Sequence, residues 1–296
     1  MFEQLVNGLT QGSIYALLAL GFTIIFGVLR MVTFAHGEVF MVGAYAGFVV
    51  FTHLQDNLVL ALIAAVVATF LLGALIEIVA FRRLRNAPHF SSLLVTIGFS
   101  VVLTQLARLI FGAEVESIPM RQIEGLAFSE IRIGEVYVSY LQLSVLMVAL
   151  LIMAATFLFF RYSRLGTAIR ATAQDHEAAM AMGVDVNRIF TITFAFGSMM
   201  GGIAGVLIGF YYNLFYPTMG VMLGLKAFSA AVIGGLASMP GAILAGLLIG
   251  VVEVFSVDFV NSNFRHLIAF VFMFAVLLIR PQGLFGGGQL KGARGD

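Results

Sequence analysis

Residues 189–212 read IFTITFAFGSMMGGIAGVLIGFYY, a run with no charged side chain. Roughly 20 apolar residues in a helix cross the hydrocarbon of a bilayer, so this run can span one. Gly197, Gly201, Gly205 and Gly209 recur at every fourth position and make three GxxxG steps down one helix face. In lipid, apolar burial does not drive helices together; close backbone approach does, and small residues permit it. The stretch therefore reads as a span packed tightly against neighbours, which suits a moving multi-span bundle better than a lone anchor.

Similar apolar windows lie on both sides, at about 5–29, 33–52, 58–81, 91–111, 139–160 and 265–280. A Gly-broken region, 221–256, separates the last two spans, and its GGLASMPG segment (234–241) is turn-like. Pro240 cannot continue a helix interior, so the region reads as two short helices; one long tilted helix is the bland alternative. The i, i+4 glycine spacing returns in Gly8/Gly12, Gly43/Gly47, Gly220/Gly224 and Gly246/Gly250. The fold class is all-α: a polytopic membrane helix bundle of about 8–9 spans, with a broken or hairpin region near 221–256, forming one transmembrane domain over 1–296.

Composition excludes other classes. The chain is 61% hydrophobic and 10% charged, whereas a soluble domain carries about a quarter charged residues. Without Cys there is no disulfide, thiolate metal site or Cys nucleophile. No basic run points to nucleic acid, and no Lys or Arg precedes the first apolar run as in a signal peptide. Neither GxxxxGK[ST] nor HExxH occurs, and no Ser–His–Asp set at matching depth is evident. The chain therefore reads as neither an ATPase nor another enzyme, with no metal and no cofactor of its own.

Short loops rich in Lys and Arg stay cytoplasmic. Arg82, Arg83 and Arg85 follow the third span, Arg161, Arg164, Arg170 and Arg188 cluster in the 161–188 loop, and Arg280, Lys291 and Arg294 follow the last span. The 112–138 loop sets Glu114, Glu116, Glu124, Glu130 and Glu135 against Arg121 and Arg132, which makes it external. These assignments agree with an outside N-terminus, a cytoplasmic tail at 281–296, and about nine crossings if 221–256 crosses twice.

The most polar segment of the second half is AQDHEAAMAMGVDVNRIF, residues 173–190. Asp175 suits a helix N-cap, Ala fits the interior, and Gly183 suits the end. A short exposed helix with small side chains reads as a docking element; an ordinary solvated loop helix is the alternative.

The pattern Glu177-Ala178-Ala179-x-x-x-Gly183 resembles the EAA loop of ABC importer permeases. In that family the loop is a coupling helix that enters a groove of the ATPase. The resemblance implies an ATPase-coupling role for Asp175, Glu177, Ala178, Ala179 and Gly183. GLTQGSIYALLALGFTIIFGV (8–28), FAHGEVFMVGAY (34–45), GGLASMPGAILAGLLIG (234–250) and RPQGLFG (280–286) resemble, in order, branched-chain amino acid permeases of the LivH type. One departure is Thr33, where that family usually has Asn. Permeases for urea and short amides share the His-Gly-Glu stretch and are an alternative, as is a passive channel for a small neutral solute. The resemblance implies a second, LivM-like permease subunit, two ATP-binding subunits that hold ATP and Mg, and a periplasmic or extracellular binding protein. It also implies alternating access in the bacterial inner membrane.

Ionisable groups within spans mark pathways or pairs. His36 and Glu38, near the inner interface in this topology, form a clamp with Arg30 as a possible third member, or touch substrate. Glu77 reads as an interfacial partner of Arg82 and Arg83. Lys226 either meets a carboxylate in transit or snorkels to the outer surface. Glu253 and Asp258 read as solvated near the outer face. The first span is polar early, at Asn7, Thr10, Gln11, Ser13 and Tyr15. Gln11, Ser13 and Tyr15, with Phe34, His36, Glu38 and Lys226, are the candidates for the substrate path.

Overall fold

Lipid offers no partner to a free backbone N–H or C=O, so uncharged runs long enough to cross it become helices. The computed structural model describes residues 1–54, 56–84, 89–119, 130–133, 136–259 and 265–286. Its helices are α1 (Phe2–Leu29), α2 (Ala35–His53), α3 (Leu58–Leu84), α4 (His89–Phe111), α5 (Tyr140–Tyr162), α6 (Arg164–Gln174), α7 (His176–Ala181), α8 (Val186–Tyr212), α9 (Met219–Gly234), α10 (Met239–Phe259) and α11 (Arg265–Ile279). Among the described residues seven helices are long and apolar enough to span a membrane, and α9 and most of α11 are shorter apolar helices. The bundle is therefore helical and multi-pass. The 112–138 loop adds what the hydropathy pattern did not anticipate, an antiparallel hairpin of β1 (Glu130–Ile133) and β2 (Val136–Ser139).

The region 221–256 is not one tilted helix. Helix α9 stops at Gly234, and Gly235 has φ 98, a backbone shape glycine adopts without steric cost. Ser238 Oγ accepts from Gly241 N at 3.2 Å and α10 begins there. The 280–286 segment seats on this turn, where Leu284 N donates to Ile233 O at 2.7 Å.

Helices α1 and α8 form the centre, with 89% and 83% of their spanning windows buried; α3, α4 and α5 are peripheral at 28%, 22% and 28%. The outer faces of the peripheral helices are apolar, as at Leu71, Leu109 and Leu151, as lipid contact requires. The glycine ladder of α8 points inward. Gly197 meets Gly21 and Ile25, Gly201 meets Leu18 and His36, Gly205 meets the backbone of Phe40 and Ala44, and Gly209 meets Phe215. Gly8 and Gly12 of α1 meet Val251 and Leu247 of α10, Gly43 meets Gly202, and Gly220 and Gly224 meet Gly37. These close contacts are all within the chain.

The same contacts give helix directions. Residues 16, 12 and 8 of α1 pair with 246, 250 and 251 of α10 in reverse order, so the two are antiparallel. Gly43 and Gly47 of α2 pair with Gly202 and Val206 of α8 in the same order, so those are parallel. Gly21 of α1 touches His36. Eight residues separate Gly21 from Leu29, so the His36 ring meets α1 about 12 Å short of that helix's C-terminal end at 1.5 Å per residue. His36 and Glu38 are thus buried within the bundle rather than near a membrane interface as expected, because residues 30–34 turn back into the bundle before α2 begins.

At the other end, Asn213 closes α8 with φ 50, a left-handed shape that Asn tolerates. Its Oδ1 accepts from Ile118 N at 2.8 Å and its Nδ2 donates to Ile118 O at 3.1 Å. A backbone bridge between Glu116 and Phe215 completes the clamp between the 112–118 strip and the α8–α9 link. Of the charges behind the orientation reading, Arg85, Arg121, Glu124, Glu135, Lys291 and Arg294 lie outside the described residues, as do the side chains of Glu130, Arg132 and Asp258.

Candidate functional site

The 161–188 loop folds as two helices rather than one. Ser163 caps α6 by accepting from Gly166 N at 2.9 Å. Gly166, Ile169 and Thr172 face the bundle, and this i, i+3, i+6 spacing was the overlooked helix signal. Asp175 then caps α7, accepting from Glu177 N at 2.9 Å and Ala178 N at 3.0 Å. Past Ala181 the chain closes a Schellman turn: Gly183 N donates to Met180 O and Val184 N to Ala179 O, with Gly183 at φ 84. The expected cap and terminator are both present.

The face of α7 differs from expectation in one respect. Glu177 and Ala178 are exposed, but Ala179 is 4% exposed and packs on the bundle. A six-residue helix turns about 100° per residue, so consecutive alanines cannot share its outer face. Met180 and Met182, 55% and 85% exposed, supply the outward apolar surface instead. A cavity of about 530 Å³ between the end of α3 and the start of α8 is lined by Arg82, Asp185, Arg188 and Thr191 among others. Asp175→Ala leaves the first-turn N–H groups of α7 without their cap, a loss of about 1 kcal/mol. Hydrogen exchange at Glu177–Ala181 accelerates several-fold, while α8 amides are unchanged.

Three contacts tie this segment to the spans. Arg170 donates to the Phe160 carbonyl at the end of α5. The His176 ring meets Phe190 of α8 edge-on, with centroids 5.2 Å apart. Arg30, just past α1, reaches Ala173 O at 3.5 Å. Arg30 therefore serves this segment rather than His36 and Glu38. Beside it, Glu77 lies in a π-helical stretch of α3, Glu77–Phe81, and is fully buried. Thr191 Oγ1 donates to its Oε2 at 2.6 Å, and Arg82 stands 3.9 Å away. The Arg82 pair was expected, but the carboxylate is buried, because α8 covers it.

Deep in the bundle four polar residues converge. Lys226 Nζ lies 2.7 Å from Glu253 Oε1 and donates to Tyr15 OH at 3.2 Å. Gln11 Nε2 donates to Glu253 Oε1 at 3.1 Å and also to Tyr15 OH. The set is buried: Gln11 3%, Tyr15 1%, Lys226 2% and Glu253 0% exposed. Tyr15 stands 13 residues from one end of α1 and 14 from the other, so the ion pair lies near mid-membrane. Lys226 does not snorkel, and Glu253 is not solvated at the outer face. A lone Lys and a lone Glu in the two arms of one hairpin was the signal for this pairing.

The remaining path candidates separate. Ser13 Oγ donates to Thr10 O at 2.7 Å, within α1. His36 is 1% exposed, its ring 4.5 Å from that of Phe22, and it does not pair with Glu38. Glu38 takes a hydrogen bond from Ser100 Oγ at 3.0 Å instead. Phe34 and Glu38 both line a cavity of about 210 Å³ between α2, α4 and α9. Among the described residues no group of three or more metal-ligating side chains forms.

Residues 4–278 match the family described as branched-chain amino acid transport system / permease component. The chain is 39% identical to the high-affinity branched-chain amino acid transport system permease protein BraD of Pseudomonas aeruginosa, over 98% of this chain and 97% of that one. It is 36% identical to LivH of Escherichia coli K12, covering 98% and 96%, and 26% identical to LivM of the same organism, covering 93% and 68%. With an apolar multi-pass bundle and near full-length identity, the chain belongs to the family of branched-chain amino acid transport system permease components.

Proposed function

We propose that the chain is one of two permease subunits in an ATP-driven importer of branched-chain amino acids. A second, LivM-like permease stands beside it, two ATP-binding subunits carry ATP and Mg, and a soluble binding protein delivers the amino acid. The protein lies in the bacterial cytoplasmic membrane, with its N-terminus outside, its C-terminus inside and nine crossings. The alternating helix directions support this topology.

The observation that carries the reading is the capped helix α7, tied to α8 through His176, with the adjoining α6 tied to α5 and the end of α1 through Arg170 and Ala173. A push on α7 is passed to three spans through packed side chains, and alternating access needs such a link. Asp175 and Gly183 hold the helix, Ala179 seats it on the bundle, and Glu177 and Ala178 with Met180 and Met182 face the ATPase.

Glu177→Lys tests this. In the assembled transporter in vesicles, ATP-dependent leucine uptake and substrate-stimulated ATP hydrolysis fall together, roughly tenfold or more, because reversing a charge at a docked interface costs several kcal/mol. Gel filtration reports an intact complex. Normal uptake by that complex would remove α7 from the coupling path.

A further inference from the structure

The cavity between α2, α4 and α9 holds one polar group that the packing leaves incomplete. Its wall is apolar, with Phe22, Phe34, Ile97, Leu225 and Phe228. Glu38 enters this wall, 1% exposed. Its Oε1 accepts from Ser100, with the Thr104 hydroxyl alongside, but its Oε2 accepts no hydrogen bond. Among the described residues no basic side chain forms an ion pair with it. Among the described residues the other deeply buried carboxylates differ: Glu253 has Lys226, and Glu77 has Thr191 and Arg82. A carboxylate buried in a membrane protein is costly unless something meets it.

The first turn of α9 forms the neighbouring wall through Gly220 and Val221. Thr218, at its N-cap, supplies no side-chain cap, while Met219 N and Val221 N donate to the carbonyls of Tyr216 and Thr218, so what this wall offers is the positive end of the helix dipole with no side chain over it. The two features are adjacent: a Cβ placed on Gly220 would lie 2.9 Å from Glu38 Oε2. Glycine there keeps the backbone and the carboxylate side by side. An α-amino acid carries its ammonium and carboxylate on one carbon, so their partners must also be neighbours. The cavity, at about 210 Å³, is below the roughly 300–1,000 Å³ of sites for drug-sized molecules and suits a smaller one.

We propose that this cavity is a binding site for the transported amino acid. Glu38 holds the α-ammonium, the first turn of α9 faces the carboxylate, and the Phe22–Phe34–Phe228 wall takes the branched side chain. The inference rests on the transport reading above and assigns that reading a site.

The chain has no Cys, so Ile97→Cys places a single thiol of this subunit on the cavity wall, at a position 46% exposed. The probe is maleimide labelling of that thiol in the assembled transporter in vesicles, without binding protein. Leucine slows the labelling. 4-Methylpentanoate, which keeps side chain and carboxylate but lacks the ammonium, protects roughly tenfold more weakly, the loss expected for one charge-assisted hydrogen bond. Adding Glu38→Gln abolishes protection by leucine, and Glu38→Asp restores part of it. Equal protection by both ligands, or none by leucine, overturns the assignment, as does full protection in Glu38→Gln. If Glu38→Gln prevents assembly, the comparison of the two ligands on the Glu38 protein decides alone. ATP-driven leucine uptake is read on transporter without the Cys. No uptake there sinks the transport reading, whereas uptake without ammonium-dependent protection sinks this site alone.

Discussion

Lys226→Met lowers the stability of the folded protein by about 3 kcal/mol, and adding Glu253→Leu recovers most of that loss. The pair is 2.7 Å apart and buried near the middle of α1's length, with Gln11 and Tyr15 completing the network. Removing the ammonium leaves Glu253 charged among apolar helices, with the neutral amide of Gln11 still donating to it. Removing both charges leaves an apolar contact between α9 and α10, which lipid-embedded helices accept. Thermal midpoints in detergent read the difference: the single variant melts well below the parent and the double variant close to it. Equal midpoints for parent and single variant would mean that the pair contributes nothing. Equal losses in both variants would mean that shape, not charge, matters at this point.

Gly205→Ala leaves little or no monodisperse protein, a loss of at least about 3 kcal/mol by overpacking. A Cβ there would meet the Phe40 carbonyl oxygen, with Ala44 N at 2.9 Å and Phe40 C at 3.1 Å. All three are backbone atoms, so no side chain can turn aside, and α2 and α8 must separate. Gly98→Ala is the contrast. It lies on the exposed face of α4 with nothing within 4 Å of its Cβ, so the change stabilises the helix by about 0.5–1 kcal/mol. Size-exclusion profiles of the two variants at equal expression make the comparison. A normal profile for Gly205→Ala would show that α2 and α8 are not locked at that crossing.

The spans, the break at 234–241, the Asp175 cap and the Gly183 terminator were all legible in the sequence. Each follows from a local rule: the length of an apolar run, the missing N–H of proline, the oxygen of an Asp side chain, the freedom of glycine at positive φ. The GxxxG steps also announced close packing, yet carried no information about which helix they would meet. Helix α6 was legible in principle, from Gly166, Ile169 and Thr172, but its polar composition hid it beside so many greasy runs.

The site was less legible. Hydropathy puts an ionisable residue at a depth counted from the end of its own span, and that count fails when a helix starts within the bundle. Helix α2 does so, with the His36 ring about two turns short of the C-terminal end of α1. The count also treats each span alone. Glu253 read as surface because it lies late in its helix, while its actual surroundings come from α1 and α9.

By itself the sequence determined that this chain lives in lipid as a bundle of helices, with one small capped helix between its fifth span and its glycine ladder. Only the tertiary structure decided that Lys226 meets Glu253, that Ala179 turns inward, and that Glu38 faces a cavity beside the first turn of α9. The reason is physical. Solvent preference and backbone geometry act along the chain over a few residues, whereas a charge pair, a glycine crossing or a cavity wall is made between segments far apart in sequence.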